Sequence, residues 1–491
     1  MDTPEVVEKK KLDKKIKDLL VVIAILLAFT LLPAPGAMTK AGMIVLGVFF
    51  SVVYSWVAKS GAWLTLLALF YFAMITGTNF GASLVASLGN MNVLILILAL
   101  AFVGCMKDTG MAKFLTSKIL ALPFAKKGPY FLQATLFLAA FLTGALSQAV
   151  PAVLAILFAI LHEATKKMGL PEHSKYAVMT GVGIASATGL GVVSVPYSYV
   201  IPMFRALIGS VGLVADFNIL VLNLVMICGF VGGSALIMIF TKLIIRTKFD
   251  MEKFKEMEIG GTKVEFSKQV GWGFAAIGVL LIGMALPLLV SGSESVILQR
   301  IELIGPAGSF ALAIILLCFA PDGKTKGKNI FDFTEKMRAN TEWTIIWNIG
   351  VIIFIGNFMN NAEMTGIPTF IGTVFRPLTM VEPLLAIILL GVIANILTNL
   401  MSTTVLMMIL GALAVPIAGG DPVLTAAAIV MIIAGTDGAI AMPNASFTAV
   451  FLHSQGHMFK PRDLVGFGYI SATLVNIVQM AALVLLYRLL I

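Results

Sequence analysis

Residues 128–161 read GPYFLQATLFLAAFLTGALSQAVPAVLAILFAIL and contain no charged side chain. As one helix this run would be about 51 Å long, far more than a hydrocarbon layer of about 30 Å. Two full crossings need about 40 residues plus a turn, which is more than the run provides. Lysines flank it on both sides, at 126–127 and 166–167, and lysine-rich ends face the cytoplasm. The sequence therefore predicts a re-entrant hairpin that enters the membrane, turns and leaves on the same side.

The middle of this run, residues 143–151, reads TGALSQAVP and carries polar side chains. Irregular backbone at membrane depth is stable only where protein covers it or where it lines a water-filled cavity. The turn of the predicted hairpin is therefore a candidate binding site by its position alone.

The second half of the chain repeats this pattern with different flanks. Residues 383–420 are again uncharged, with polar side chains at their centre, and they lie between Glu382 and Asp421 rather than between lysines. Without flanking lysines, both ends of this second hairpin are expected to face outward.

Each predicted hairpin is followed by a segment that contains several glycines and a proline, at 181–198 and at 435–444. Such a composition predicts a helix that is interrupted inside the membrane. The hairpin turns are offset by 251 positions (147 to 398) and the broken-helix turns by 246 (198 to 444). A near-constant offset with reversed flanking charge is what an inverted repeat predicts.

The composition is that of a polytopic membrane protein, with 59% hydrophobic residues, 12% charged residues and a mean hydropathy of +1.00. The predicted fold class is an all-α polytopic membrane protein with about eleven transmembrane helices. Two re-entrant hairpins and two broken helices complete the inverted repeat. No nucleic-acid partner is expected, because the net charge of +9 arises in membrane-flanking loops.

Loop charges predict the orientation in the plasma (inner) membrane. With the N-terminus inside and the C-terminus outside, 29 of the 34 lysines and arginines fall in cytoplasmic loops, as the positive-inside rule requires. The five on the outer side are Lys40, Arg205, Arg300, Arg376 and Arg488.

The predicted organisation has four parts. They are an N-terminal tail and first helix (1–35), a first repeat (36–247) with hairpin 128–165 and broken helix 174–208, a cytoplasmic linker (248–268), and a second repeat (269–491) with hairpin 378–420 and broken helix 422–451. The lysine-rich start followed by the uncharged stretch 19–32 also fits a cleaved signal peptide. We favour an uncleaved first helix.

Three short motifs carry a family resemblance. Met442-Pro443-Asn444-Ala445 is similar to Pro-Pro-Asn-Ala, while Ser147-Gln148-Ala149 and Thr398-Asn399-Leu400 stand where a Ser-Asn-Thr signature occurs once per half. Together with the two opposed hairpins, these motifs resemble the divalent anion/sodium symporter family of the ion transporter superfamily. Its members carry dicarboxylates, citrate and sulfate. The resemblance extends over nearly the whole chain.

The resemblance implies binding sites for an anion and for sodium. The implied substrate-binding residues are Ser147, Gln148, Ala149, Pro196, Ser198, Thr398, Asn399, Leu400, Pro443 and Asn444. The implied sodium ligands are Thr143, Ser147 and the backbone at Gly191 in one half, and Thr398, Asn399 and the backbone at Ile440 in the other. It further implies sodium as the coupling ion, no organic cofactor, a small anionic substrate and a homodimer.

Two departures from the signature bear on the substrate. Both signature threonines are replaced, by Ala149 and by Leu400. Each lost hydroxyl removes a hydrogen bond worth about 1.5–3 kcal/mol to a charged partner. The substrate is therefore either a small dicarboxylate or a larger organic anion, and altered ion coupling is a further alternative.

Elementary electrostatics supports the same function. Helix ends that meet at a hairpin tip offer N–H groups to an anion and carbonyls to a cation. No arginine or lysine is expected deep enough to neutralise a dianion, so bound cations are expected to supply the positive charge. With the substrate class that the family resemblance implies, the predicted function is a secondary active transporter for an organic or inorganic divalent anion (di- or tricarboxylate class), coupled to sodium and working by alternating access.

Asp437 is the one acid predicted well inside a broken helix. Intramembrane carboxylates are functional candidates, and this one is a possible coupling acid, as a cation ligand or proton carrier, or it faces a water-filled vestibule. A cation/proton antiporter or proton-coupled carrier using Asp437 is the main alternative function. An intramembrane enzyme is a minor one, since no second acid, HExxH motif or deep histidine accompanies Asp437 or Ser147. We therefore expect no enzymatic activity.

Overall fold

The computed structural model describes residues 4–58, 61–209, 218–255, 264–290, 296–321, 327–341, 343–359, 361–374, 380–400, 403–419, 421–442 and 445–490. Within these ranges the chain is helical, and the β-type pairing found there is one isolated bridge between Pro321 and Asn329. The predicted all-α class is confirmed, and the protein is a multi-pass membrane protein.

The first half of the chain contains the hairpin and the broken helix around which the other helices pack. Its helices are α1 (Pro4–Leu31), α2 (Lys40–Val57), α3 (Trp63–Thr76), α4 (Phe80–Leu88), α5 (Met91–Met106), α6 (Met111–Leu120), α7 (Pro129–Ser147), α8 (Val150–Lys167), α9 (Lys175–Val193), α10 (Val200–Gly209) and α11 (Ile219–Phe240). One 3₁₀ turn (Pro123–Lys127) precedes α7, and one π turn (Thr241–Ile245) extends α11.

The second half follows a short linker helix. Its helices are α12 (Met251–Lys255) in the linker, then α13 (Lys268–Val290), α14 (Val296–Cys318), α15 (Phe333–Asn340), α16 (Trp343–Met359), α17 (Ala362–Thr365), α18 (Ile367–Val374), α19 (Pro383–Leu397), α20 (Thr403–Ile417), α21 (Pro422–Asp437), α22 (Phe447–His453) and α23 (Pro461–Leu490).

Several of these helices are long and apolar enough to cross a bilayer. In the described part of the chain four qualify alone, and they are Pro129–Ser147, Lys175–Val193, Ile219–Ile245 and Pro461–Tyr487. Up to six qualify if the two sharply bent helix pairs each count as one span. Breaks shorten other apolar helices, as at Gly305, whose φ of 57° interrupts α14 before Pro306. The larger count of eleven crossings stays a prediction.

The first uncharged run forms two helices that turn at Gln148 and Ala149. Gln148 adopts a left-handed conformation (φ 53°) and its N–H donates to the carbonyl of Gly144 at 3.0 Å, which ends α7. Pro151 lies in the first turn of α8, where its missing N–H costs nothing. Both arms pack against each other and against α9.

The second uncharged run has the same plan. Helices α19 and α20 pack against each other and against α21, and the chain leaves α19 through a turn at 398–400. Residues 401–402 of this turn lie outside the described residues. Each half therefore contains two apolar arms on one central helix.

Each central helix is interrupted, and its second piece packs against the hairpin of the other half. Helix α9 ends at Val193 and resumes as α10, which contacts α20. Helix α21 ends at Asp437 and resumes as α22, which contacts α8. The first break begins after Val193 and the second after Asp437, and each leads into a helix that contacts the hairpin of the other half.

Small residues allow the hairpin arms to approach the broken helices closely. A methyl group at Gly191 would collide with the carbonyl oxygen of Phe141, and one at Gly144 would lie 2.8 Å from the carbonyl of Thr188. In the second half, a methyl group at Gly435 would lie 2.6 Å from the carbonyl of Gly391. Close backbone approach of this kind is typical of helix packing in membranes.

Gly191→Ala is expected to destabilise the protein, because the added methyl group must displace α9 from α7. Overpacking typically costs about 1–3 kcal/mol, so the melting temperature of the purified protein, a chain of 491 residues, should fall by about 1–3 °C. The matched control is Gly278→Ala in α13, where a methyl group meets no atom within 4 Å. Equal melting temperatures for the two variants would contradict the close packing.

Candidate functional site

A side-chain amide ties the first hairpin tip to the first broken helix. Gln148 is 1% exposed, and its Nε2 donates to the carbonyls of Ala145 at 2.9 Å and Val192 at 3.2 Å. A third carbonyl, that of Gly144, lies 3.4 Å from the same nitrogen. Because Val192 belongs to α9, this one side chain joins two segments that meet at the tip.

Three hydroxyl groups at this tip donate to backbone carbonyls of the protein. The Ser147 hydroxyl donates to the carbonyl of Thr143 at 2.7 Å, and the Tyr197 hydroxyl donates to the carbonyl of Ala145 at 3.0 Å. The Ser194 hydroxyl donates to the carbonyl of Gly191 at 2.8 Å. The structure thus brings the three predicted sodium residues of the first half together and gives their oxygen atoms internal donors.

Asn399 forms the equivalent connection in the second half. It is 1% exposed, and its Nδ2 donates to the carbonyls of Asn395 at 3.0 Å and Gly438 at 3.1 Å. Its Oδ1 accepts from the N–H of Ala441 at 2.7 Å. The neighbouring Thr398 hydroxyl donates to the carbonyl of Thr436 at 3.1 Å.

These two connections are related by the internal repeat. Gln148 and Asn399 are offset by 251 positions, and their broken-helix partners Val192 and Gly438 by 246. The same two offsets separate the hairpin turns and the broken-helix turns in the sequence. Below, the side-chain amides of Gln148 and Asn399 are called the tip amides.

The remaining predicted residues lie in different surroundings. Ala149 is buried, whereas Leu400 is 63% exposed. Ile440 lies within the second break, and its N–H donates to the carbonyl of Gly438 at 2.9 Å. Pro443 and Asn444 lie outside the described residues.

Asp437 lies at the contact between the two broken helices. It is the last residue of α21, and its Oδ1 would lie 3.4 Å from a methyl group at Gly189 of α9. The carboxylate is partly exposed, and no hydrogen bond or ion pair joins it to another described residue. A carboxylate in this position is accessible to a small cation or a proton.

A cavity of about 190 Å³ adjoins the first break. Its walls are formed by the first break, by α10 and by residues of α5, α11, α13 and α14. Its lining consists of Asn92, Ile95, Pro196, Ser198, Ile201, Pro202, Arg205, Ile219, Gly283, Met284, Gly305, Pro306 and Phe310. Two of the predicted substrate residues, Pro196 and Ser198, thus face a common space with polar Asn92 and cationic Arg205.

Arg205 lines the same cavity as Ser198. From the sequence it was counted on the outer side of the membrane, and a cationic side chain beside the broken-helix residues was not predicted. Pro202 and Arg205 both lie in α10, which begins at Val200, just after the break.

A metal cluster is not part of this arrangement as far as the structure describes it. Among the described residues, no group of three or more histidine, cysteine, aspartate or glutamate side chains is placed to hold a metal ion. Any cation bound near the tips would therefore rely on carbonyls, hydroxyls and Asp437.

Comparison with solved structures identifies the fold. The YdaH transporter of Alcanivorax borkumensis matches with a TM-score of 0.55 and 13% identity over 90% of this chain and 97% of that one. MtrF of Neisseria gonorrhoeae, from a class of antimetabolite efflux pumps, matches with a TM-score of 0.56 and 14% identity over 96% of this chain and 94% of that one. No family model and no curated protein matches the sequence.

These similarities show the fold alone. They do not show the divalent anion/sodium symporter family, so that resemblance stays a prediction.

Asn399→Ala is expected to destabilise the second tip, because it removes three hydrogen bonds and leaves buried backbone groups unpaired. The loss should be at least about 2 kcal/mol, measured as a lower melting temperature. Asn476→Ala is the matched control, since Asn476 is 2% exposed and its Nδ2 has no partner among the described residues. A larger loss for the control would contradict a special role for the tip amide.

Proposed function

We propose that this protein is a secondary active carrier of a small organic anion, of the di- or tricarboxylate class, that works by alternating access. The cavity beside the first break supports this proposal most directly, because it combines one guanidinium with amide, hydroxyl and apolar walls. The cavity lies beside the broken helix and next to residues of α5, α13 and α14. In alternating access one part of a carrier moves against another around the binding site, and the cavity has a suitable position for such a site. The similarity to the YdaH and MtrF folds agrees with transport.

Arg205 is proposed to bind a carboxylate of the substrate. A guanidinium presents paired N–H donors that match a carboxylate in geometry and charge. Ser198, at the start of the segment that leads into α10, and Asn92 on α5 supply further polar contacts to the same cavity. The apolar remainder of the lining accommodates a hydrocarbon skeleton, which favours organic anions over sulfate.

We further propose that transport is coupled to a cation that binds at Asp437. Sodium is the coupling ion implied by the family resemblance, and a proton is the alternative. The position of the Asp437 carboxylate against Gly189, at the contact between the two broken helices, supports either one. A bound cation there changes the charge at the centre of the moving part.

The direction of transport has two candidates. Uptake follows from the resemblance to carboxylate symporters, whereas export follows from the similarity to MtrF, an efflux pump. By the symporter resemblance we also propose a homodimer in the plasma membrane with its N-terminus inside.

The test is an uptake panel in proteoliposomes. Succinate, malate, citrate, 2-oxoglutarate and sulfate are each supplied with an inward sodium gradient, with an inward proton gradient, or with neither. The proposal requires at least one organic anion to accumulate only when a cation gradient is present. Equal accumulation of every anion with and without gradients would refute it, and gradient-driven loss from preloaded vesicles would indicate export.

Arg205→Gln should weaken binding of the transported anion about 10- to 100-fold, since a charge-assisted hydrogen bond contributes about 1.5–3 kcal/mol. Arg205→Lys should retain part of the affinity, because it keeps the charge without the planar fork. The measurement is the KM for uptake, with exposed Arg300→Gln as the control. An unchanged KM in Arg205→Gln would remove Arg205 from the site.

Asp437→Asn should abolish the dependence of transport on its coupling ion. Asparagine keeps the shape of the side chain but neither binds sodium with a charge nor carries a proton. The measurement is initial uptake across a series of sodium concentrations and pH values. The control is Asp421→Asn at the start of the same helix, where asparagine caps equally well. If the ion and pH dependence of transport is unchanged in Asp437→Asn, Asp437 is not the coupling acid and only faces a water-filled vestibule.

A further inference from the structure

We infer that the tip amide of Gln148 occupies the place of a cation at the first hairpin tip, so that the first half of the carrier binds no coupling ion. This inference rests on the proposed cation coupling and restricts it to the second half. The prediction of a sodium site at Thr143, Ser147 and Gly191 is thereby replaced by a site that the protein fills with its own side chain.

Three carbonyl oxygens converge on one nitrogen. The carbonyls of Ala145, Val192 and Gly144 lie 2.9, 3.2 and 3.4 Å from Nε2 of Gln148. Converging carbonyl dipoles favour positive charge at their focus, as in ion-selective pores. The amide nitrogen supplies two hydrogens with partial positive charge at that focus.

The orientation of this amide follows from its surroundings. In the reverse orientation, Oε1 of Gln148 would face three carbonyl oxygens and gain no donor. In the observed orientation, Oε1 is buried without a partner among the described residues. One unpaired oxygen costs less free energy than an oxygen that faces three carbonyl oxygens. The nitrogen therefore belongs among the carbonyls.

The tip is also fixed around the amide. The backbone of Gln148 is held in the left-handed region (φ 53°) by its N–H bond to Gly144. Ala145 receives a second donor from Tyr197, and Gly191 receives one from Ser194. A cation at this tip would have to displace these donors, and each displaced donor would remain buried and unpaired.

The two halves differ in the charge that a cation requires. Asp437 stands in the second half, and the repeat offset of 246 places Gly191 at the equivalent position of the first half. The first half therefore supplies no carboxylate from this position, and the acid that approaches its broken helix, at Gly189, is Asp437 of the second half. An amide N–H group carries only a partial positive charge and can be buried at such a tip at low cost. Burying an unpaired ion is far more expensive.

The test is to replace the amide with a carboxylate of the same shape. In Gln148→Glu, an oxygen takes the place of Nε2 among three carbonyls and makes a cage of oxygen atoms that needs a cation. The purified full-length variant is melted in sodium chloride and in choline chloride at equal ionic strength. We expect a lower melting temperature than wild type in choline, and a rise on the order of 2–4 °C in sodium beyond the wild-type response.

Gln133→Glu is the matched control. Gln133 lies on the same helix, is 0% exposed, and also has a buried Oε1 without a partner among the described residues. Its Nε2 donates to one hydroxyl, that of Thr241 at 3.3 Å, rather than to a set of carbonyls. It should lose stability without a gain in sodium response. A sodium response in Gln148→Glu no greater than in Gln133→Glu would overturn the inference.

A second measurement does not depend on a carboxylate being tolerated. Thr143→Val keeps the shape of the side chain and removes a hydroxyl that a sodium ion at this tip would use. We expect its sodium response to equal that of wild type, and a reduced response would overturn the inference. A wild-type protein without any sodium response would count against the proposed sodium coupling and would leave the filled first tip intact.

Discussion

The structure depends on satisfying backbone polar groups where the chain turns inside the membrane. A hairpin tip and a broken helix end each leave carbonyls and N–H groups unpaired in a medium without water, at a cost of several kcal/mol per group. In each half one side-chain amide resolves both problems together. Gln148 joins its tip to Val192, and Asn399 joins its tip to Gly438. The hairpins and the broken helices are therefore stable only as pairs.

The reciprocal packing of the halves follows from this pairing. Once each tip is bound to its own broken helix, the second piece of that helix extends beyond the tip, and it packs against the hairpin of the other half. Glycines at the crossings let backbone approach backbone, as Gly191 does with Phe141 and Gly435 with Gly391. The centre of the molecule is thus built from two equivalent units that complete each other.

The sequence predicted this framework because charge and length constrain a membrane segment strongly. An uncharged run too long for one crossing, with lysines at both ends, has few alternatives to a hairpin. The direction of a single side chain is not constrained in that way. Nothing in the pattern around Gln148 distinguishes an amide that faces a substrate from one that fills a cage of carbonyls, since both are buried polar side chains at a turn. The place of Arg205 on the cavity wall was missed for a related reason: proline and glycine interrupt the helical periodicity just before it.

An exact repeat would place the same charge at both helix breaks. In this chain two charged residues near the breaks have uncharged counterparts. Asp437 has Gly191 as its counterpart at the repeat offset of 246, and Arg205 has Phe451 at the same offset. The acid therefore lies in the second broken helix and the base in the first. The repeat supplies two equivalent helix breaks, and these two residues put a negative charge at one break and a positive charge beside the other, as the proposed binding of a cation and an anion requires.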